Sequence, residues 1–139
     1  MSVFVDTSGF VAFALRHDDK HRPAKSCFER LLAEREPMVT SDWVFGETVS
    51  FIRRRAGYRA AREAGERMRK SPSLEIISAD AEVVERAWDQ FVGYHFDDLS
   101  LVDCVSFVLM RARRIRKAFT FDRHFAEAGF DLLPRASRR

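Results

Sequence analysis

Short apolar runs alternate with amphipathic segments along the chain, and this order constrains the fold more than any other feature. Runs of four or five mostly apolar residues, such as "SVFV" at 2–5 and "LEIIS" at 74–78, are separated by segments whose apolar side chains recur at helical spacing. The other candidate strands are residues 37–41, 117–121 and 130–134. Strands that alternate with helices are typical of a parallel sheet with helices on both faces. We therefore expect an α/β fold, a three-layer α/β/α sandwich around a short, mostly parallel sheet.

Residues that start or stop helices mark the boundaries of the amphipathic segments. Pro23 begins one helix, Ser41 caps the next, Gly57 ends it, and Ser100 caps a later one. The predicted helices cover residues 7–16, 23–36, 42–57, 58–71, 80–94, 101–114 and 122–129. In open α/β sheets ligands bind beyond the carboxyl ends of the strands, so residues that follow a strand are candidates for a site.

The size and composition of the chain predict one soluble domain. Its 139 residues are 46% hydrophobic and 32% charged, as in globular proteins with a substantial core. We predict a single domain over residues 1–134 and a basic C-terminal tail over residues 135–139. No apolar run is as long as a membrane span, and the first candidate strand begins at Ser2, so we expect no membrane partner and no signal peptide. Cys27 and Cys104 are isolated, which favours a reducing, cytoplasmic location.

The basic residues are clustered, and most of them are arginine. The net charge is +3, with 20 arginines against four lysines. The clusters lie at residues 53–55, 59–70 and 111–117 and in the C-terminal tail. Arginine suits phosphate groups, so a polyanionic partner is a candidate. The alternative is that these residues form solvated helix faces, and charge alone slightly favours this alternative.

Two candidate strands end in an aspartate. Asp6 follows the first strand and Asp122 follows residues 117–121, so a parallel arrangement brings both carboxylates to one edge of the sheet. A charge in a dry interior is costly unless it is paired. Asp122 could equally well cap the following helix. For Asp6, Thr7 or Ser8 could serve as the cap instead, which leaves its carboxylate less explained.

Two further acids lie within helical segments. Asp103 is the only charge in "SLVDCVSFVLM", and with Ser100 it forms a capping-box pattern. The same first-turn position directs its carboxylate towards the carboxyl edge of the sheet, so the roles of cap and ligand are compatible. Glu47 shares i, i+3, i+7 spacing with Val44 and Phe51, which places it on an apolar, core-facing stripe without an obvious cationic partner.

Taken together, these acids predict a cation site. Each has an ordinary structural explanation, but carboxylates that converge raise one another's pKa unless a cation lies among them. Oxygen ligands without histidine or cysteine suit Mg²⁺ or Mn²⁺. Such a site can activate a water molecule and stabilise an in-line displacement at phosphorus. With the basic clusters, this pattern predicts phosphodiester hydrolysis by Asp6, Glu47, Asp103 and Asp122.

The histidines and the remaining acids contribute little to this hypothesis. His17 and His21 are expected in a solvated loop, and His95 and His124 at the surface or in loops. Asp98, which precedes the Ser100 cap, and His124, which is near Asp122, are candidates for assisting the site, although positions in loops or at the surface are favoured for both. The chain contains no G-x-S-x-G, P-loop or G-x-G-x-x-G motif, so other hydrolase and nucleotide-binding classes have no support.

Four segments resemble the PIN domain and, more closely, the VapC-type toxins of bacterial toxin–antitoxin pairs. They are "VFVDTS", "SDWVFGET", "LSLVDCVSFVLMR" and "FTFDRHFAEAGF", and the resemblance runs the length of the chain. It implies a PIN-like α/β/α fold and a metal-dependent ribonuclease. The acidic positions of the family fall on Asp6, Glu47, Asp103 and Asp122. Asp6 and Asp103 are implied as the firmest magnesium ligands, and Thr7 and Thr120 lie where a hydroxyl could orient them.

The resemblance also implies a biological role and partners. The expected protein is an Mg²⁺-dependent endoribonuclease, with Mn²⁺ as a possible substitute, that acts as the toxin of a type II toxin–antitoxin system. It is expected to bind RNA, to form a homodimer and to be blocked by a VapB-type antitoxin. Trp43, Tyr58 and Phe96 are candidates for base stacking, although core packing is the better use of Trp43. Two alternatives stay open: a PIN nuclease of RNA processing without an antitoxin, and a non-catalytic module whose acidic pocket docks a basic partner.

Overall fold

The structure of the protein, a computed structural model, describes residues 1–135. All predicted strands and helices are present within these residues, in the predicted order. The strands are β1 (Val3–Val5), β2 (Met38–Ser41), β3 (Leu74–Ile77), β4 (Lys117–Phe119) and β5 (Asp131–Leu133). The helices are α1 (Thr7–Ala14), α2 (His21–Ala33), α3 (Asp42–Ala56), α4 (Tyr58–Lys70), α5 (Ala81–Gly93), α6 (Leu101–Ala112) and α7 (His124–Glu127). Arg138 and Arg139 of the predicted basic tail lie outside the described residues.

The five strands form one sheet in the order β3-β2-β1-β4-β5, and each neighbouring pair is parallel. β1 lies at the centre, and its last residue, Val5, is opposite Phe119, the last residue of β4. The residues that follow these two strands therefore emerge side by side at the carboxyl edge. The predicted α/β fold with a mostly parallel sheet is confirmed.

The central strands are buried on both faces because helices cover the sheet from both sides. All three residues of β1 are fully buried, as expected for the middle of a parallel sheet. Phe4, Phe107, Phe119 and Phe125 are fully buried and join the sheet to the helices in one continuous core. In residues 1–135 no helix combines the length and the apolar character needed to cross a bilayer.

Local residues place the helices against the carboxyl edge. A Cβ atom at Gly9 would lie 2.9 Å from the carbonyl oxygen of Phe119, so only glycine allows α1 to begin this close to β4. Ser41 caps α3 by accepting a 3.0 Å hydrogen bond from the N–H of Val44, as predicted. Helix α2 begins at His21 rather than at the predicted Pro23. Pro23 still lies in the first turn, where the backbone N–H needs no partner and proline is tolerated.

Candidate active site

Asp6 lies directly after β1 and is 3% exposed. Its N–H donates a 3.0 Å hydrogen bond to the carbonyl of Phe119, which extends the contact between β1 and β4 by one residue. Its Oδ2 atom accepts a 3.5 Å hydrogen bond from the N–H of Ser8, so Asp6 itself caps α1. The suggestion that Thr7 or Ser8 provides this cap is wrong, because the Ser8 hydroxyl donates to Asp6 Oδ2 at 3.1 Å instead.

Thr120 joins the ends of β1 and β4 through hydrogen bonds. Its hydroxyl donates to Asp6 Oδ2 at 2.9 Å and lies 3.0 Å from the hydroxyl of Ser8. It also accepts a 3.0 Å hydrogen bond from the N–H of Asp122, while Ser8 accepts one of 2.9 Å from the N–H of Phe121. Two buried or half-buried hydroxyls therefore orient the Asp6 carboxylate. Sequence analysis singled out Thr120 only through the family resemblance and did not assign Ser8 to the site.

Asp103 lies in the first turn of α6 and is 7% exposed. Its N–H donates to the hydroxyl of Ser100 at 3.1 Å, and its Oδ2 accepts from the N–H of Ser100 at 3.2 Å. This is the predicted capping box, with aspartate in the place usually taken by glutamate or glutamine. Since only one of its two oxygens takes part in the box, Asp103 can be a cap and a ligand at once.

Glu47 is exposed, and its predicted place on a core-facing stripe is wrong. The buried residues of α3 are Val44, Thr48 and Ile52, which are spaced by four, so the neighbouring row that contains Glu47 turns towards solvent. The carboxylate nevertheless points to the site, because its Oε1 accepts a short hydrogen bond from the hydroxyl of Thr7 at the start of α1. The partner of Glu47 is thus not a cationic side chain but the hydroxyl of Thr7, the residue after Asp6.

His124 is 4% exposed, so the prediction of a surface or loop position is wrong. Its backbone N–H donates a 2.9 Å hydrogen bond to Asp122 Oδ1. Its ring nitrogen Nδ1 lies 2.7 Å from the same oxygen, but without hydrogen-bond geometry. The other ring nitrogen, Nε2, is 2.9 Å from Oδ1 of Asp98. Burial lowers the pKa of His124, but the carboxylates of Asp122, Asp98 and Asp103 outweigh it, so the pKa is raised overall.

The aromatic residues near the site are packed rather than open. The ring of Phe96 is stacked between Tyr94, at 5.1 Å and 18°, and His124, at 5.8 Å and 26°. Phe96 is half-buried and stacks on two rings, which argues against the predicted base stacking on this ring. Trp43 packs against the core, as preferred in the sequence analysis, whereas Tyr58 is 59% exposed.

Burial raises the pKa of both buried acids, and neighbouring carboxylates add to the rise. Burial raises the pKa of Asp6 to about 6; the hydrogen bond from Thr120 opposes this rise, and the charge of Glu47 adds to it. Burial also raises the pKa of Asp103 to about 7, and the carboxylates of Asp6 and Asp122 contribute further. Such shifts are expected where carboxylates gather in a dry site without a compensating cation.

The four predicted acids are neighbours at the carboxyl edge of the sheet, linked to one another by charge rather than gathered in one close group. Asp103, Asp122 and His124 each offer an atom within 4.8 Å of the others. Asp6 interacts with Asp103 by charge, and Glu47 with Asp6. No lysine or arginine of residues 1–135 forms an ion pair with any of these four acids. A hard divalent cation fits this oxygen-rich donor set, because it would supply the positive charge that the neighbouring side chains do not.

A match to the PIN domain covers residues 3–131. The chain therefore belongs to the PIN-domain family. It is 39% identical over 129 residues to the 23S rRNA-specific endonuclease VapC20 of Mycobacterium tuberculosis, and the match covers 92% of this chain and 95% of the relative. The predicted family and enzyme class, a VapC-type nuclease that hydrolyses RNA, are confirmed.

Solved structures agree with this assignment. The crystal structure of M. tuberculosis VapC20, described as a sarcin–ricin loop cleaving toxin, superposes with a TM-score of 0.83 at 37% identity and covers 93% of this chain and 96% of that one. The toxin–antitoxin complex VapBC2 of Rickettsia felis, bound to a promoter DNA fragment, contains a chain with a TM-score of 0.67 at 16% identity, covering 95% and 97% of the two chains. The second likeness bears on the fold alone.

Proposed function

We propose that the protein is an Mg²⁺-dependent endoribonuclease in which Asp6 and Asp103 hold the metal and Glu47 and Asp122 complete the site. The observation that carries this proposal is the gathering of carboxylates from β1, α3, α6 and the end of β4 with no lysine or arginine paired to them in residues 1–135. Mn²⁺ is expected to substitute, because the donors are hard oxygen atoms.

The residues have separate tasks in this proposal. A bound divalent cation would favour ionisation of the attacking water and stabilise the charge that develops on the phosphate. Asp6 presents a carboxylate oriented by Thr120 and Ser8. Asp103 presents the oxygen left free by its capping box. Glu47 and Asp122 would complete the cluster, directly or through water, and each also shares its carboxylate with a neighbouring side chain.

The proposed substrate is structured RNA, with ribosomal RNA as the first candidate because the relative VapC20 is named a 23S rRNA-specific endonuclease. A groove of about 380 Å³ between α3 and α4 is lined by arginines and by the exposed Tyr58. The guanidinium of Arg53 lies 5.3 Å from the centre of the Tyr58 ring. Arginine beside an open aromatic ring is suited to bind a phosphate and a stacked base together.

The proposed partner is an antitoxin that binds a second groove. This apolar groove, of about 340 Å³, lies between α1, α2, α3 and α4 and is lined by Phe10, Phe13, Phe28 and Met68, with Glu63 and Arg67 among its polar residues. An amphipathic helix fits such a surface through its apolar face. Co-purification with the product of a small neighbouring reading frame, lost in Ala64→Arg, would support this partner. A homodimer and a cytoplasmic location, consistent with the two buried free thiols, are retained as part of the proposal.

The decisive experiment compares Asp6→Asn and Asp103→Asn with Asp80→Asn. Asp80 is also a helix-capping aspartate, bound to the N–H of Val83 at 2.9 Å, but it belongs to α5 and is exposed. We expect the two site variants to bind RNA, to stay folded by circular dichroism and to lose Mg²⁺-dependent cleavage by more than the ~10–100-fold typical of outer-shell residues. Asp80→Asn should cleave like the wild type. Cleavage that persists in Asp6→Asn, or that needs no divalent ion, would contradict the proposal.

A further inference from the structure

His124 contacts two regions of the chain that carry different acids of the site. On one side its ring nitrogen Nδ1 lies 2.7 Å from Asp122 Oδ1, and the backbone N–H of His124 donates a hydrogen bond to the same oxygen. On the other side its Nε2 lies 2.9 Å from Asp98 Oδ1, and its ring stacks on Phe96 at 5.8 Å. The imidazole thus lies between two carboxylates, with Asp98 at Nε2 and Asp122 in close charge contact with Nδ1, and stacks on one aromatic ring.

Asp98 and Phe96 belong to the loop of residues 94–100, between α5 and α6. The same loop ends at Ser100, whose side chain and backbone hold Asp103 in the capping box. One end of the loop is therefore bound to the Asp122 region through His124, and the other end holds Asp103. The His124 side chain therefore connects the regions that carry both acids, although the acids lie in separate elements.

Each ring nitrogen lies within 3 Å of a carboxylate oxygen, Nε2 of Asp98 and Nδ1 of Asp122, so we assign the imidazole to the support of these acids rather than to the ion. This distinguishes His124 from the acids, even though its ring lies close to Asp103 and Asp122. Its side chain is 5% exposed, whereas that of Asp98 is 77% exposed. Water competes for the contact with Asp98, so the contact with Asp122 is expected to dominate.

We infer that His124 is a positioning residue of the nuclease: it fixes the Asp122 carboxylate and, through Asp98 and Phe96, the loop that presents Asp103. This inference rests on the proposed metal-dependent activity. In this role His124 affects the position of the acids that bind the ion, and it does not contact the RNA. Outer-shell partners of this kind typically change metal affinity or activity by about 10–100-fold.

The test measures the Mg²⁺ concentration for half-maximal cleavage, the KM for RNA and direct Mn²⁺ binding by calorimetry. His124→Gln keeps a donor near the Nε2 position, towards Asp98, whereas His124→Asn keeps one near the Nδ1 position, towards Asp122. We expect His124→Gln to raise the Mg²⁺ requirement by at least about 10-fold with an unchanged KM, and His124→Asn to recover most of the loss. A residue that acts only on stability would not raise the Mg²⁺ requirement while leaving the KM for RNA unchanged.

A second pair of variants avoids the buried ring. Asp98→Ala removes the partner of Nε2, and Asp97→Ala removes the same charge from the adjacent exposed residue. Asp98→Ala should raise the Mg²⁺ requirement by about 3-fold, less than His124→Gln because this contact is exposed, and Asp97→Ala should leave it unchanged. Suppose that the wild type shows Mg²⁺-dependent cleavage, and that Asp98→Ala and the His124 variants have the same Mg²⁺ requirement as the wild type. The role of His124 is then overturned, while the nuclease proposal stands. If the wild type needs no divalent ion, both are overturned.

Discussion

The hydroxyl of Thr120 donates a 2.9 Å hydrogen bond to Oδ2 of Asp6, although the two residues are separated by almost the whole chain. This bond lowers the pKa of Asp6 against the effect of burial, so it favours the ionised form that a cation needs. The same hydroxyl accepts from the N–H of Asp122. One side chain thus supports two acids of the site.

Thr120→Val should therefore weaken metal binding and stability together. It removes the donor to Asp6 and leaves the part-buried N–H of Asp122 without its acceptor. For a buried group the loss of a partner typically costs about 1–3 kcal/mol. We expect a higher Mg²⁺ requirement for cleavage and a lower melting temperature. Thr120→Ser, which keeps the hydroxyl, is the control and should retain most of the Mg²⁺ affinity and most of the stability of the wild type. Equal activity in the valine and serine variants would exclude this role.

Without metal, the protein should be less stable at high pH. The pKa values of Asp6 and Asp103 are raised to about 6 and about 7 in the fold, so the folded state favours their protonated forms. Their contribution to stability is full below the ordinary aspartate pKa of about 4 and is lost as the pH rises through about 6 to 7. In EDTA, the free energy of unfolding should fall between about pH 5 and pH 8 by an amount on the order of 3 kcal/mol.

Urea denaturation at these two pH values provides the measurement. Mg²⁺ should reverse the loss at the higher pH, because it binds the ionised carboxylates. The variant with both Asp6→Asn and Asp103→Asn should lose most of the pH dependence and the response to Mg²⁺, and His124, whose pKa is also raised, accounts for the remainder. A metal-free protein that is more stable at the higher pH would contradict the burial of these two acids.

Glu47→Gln should reduce cleavage without reducing stability. Glu47 is exposed and is bonded to Thr7 at the edge of the site, so its charge contributes to the ion rather than to the core. We expect a loss of cleavage of about 10–100-fold, as for other outer-shell carboxylates, and an unchanged melting temperature in EDTA. Glu85→Gln, an exposed glutamate on α5, is the matched control for kinetics and melting. Full activity in Glu47→Gln would remove it from the site.

Charge reversal in the groove between α3 and α4 should weaken RNA binding at every sequence. Arg53 and Arg69 line this groove and bind phosphate in the proposal. Arg53→Glu and Arg69→Glu should each lower affinity and reduce the slope of log Kd against log salt by about 1. Arg86→Glu makes the same change on α5, where Arg86 pairs with Glu82, and should have no such effect. Filter binding across a salt series tests this, and unchanged slopes would exclude the groove as the RNA site.

Two fully buried threonines should respond oppositely to valine. The Thr48 hydroxyl has no hydrogen-bond partner within residues 1–135 and lines the apolar groove, whereas the Thr40 hydroxyl donates to the carbonyl of Val5 at 2.8 Å. Thr48→Val should raise the free energy of unfolding by about 1 kcal/mol, and Thr40→Val should lower it by about 1–2 kcal/mol. Chemical denaturation distinguishes the two. Destabilisation by Thr48→Val would indicate that water or a ligand occupies the groove beside its hydroxyl.

The local pattern of the chain was sufficient to predict the sheet, the helices and the acids. Strands that end in Asp6 and Asp122 point to one edge as soon as the sheet is parallel, and the Ser100–Asp103 box is encoded by a spacing of three residues. Such signals act within a few residues, so they can be recognised without knowing which elements meet. The metal-site roles of the four acids stay a prediction that the experiments above test.

Only the tertiary structure decided how Glu47, His124 and Phe96 are used. Glu47 was expected in the core and is exposed, because the buried row of α3 is spaced by four and begins at Val44. His124 was expected at the surface or in a loop, but it is buried, and Phe96 and Asp98 of the loop of residues 94–100 lie against its ring. These outcomes depend on contacts between residues far apart in the chain. Hydrophobic spacing and capping motifs report only on the neighbours within a turn or a strand, so they carry no information about such contacts.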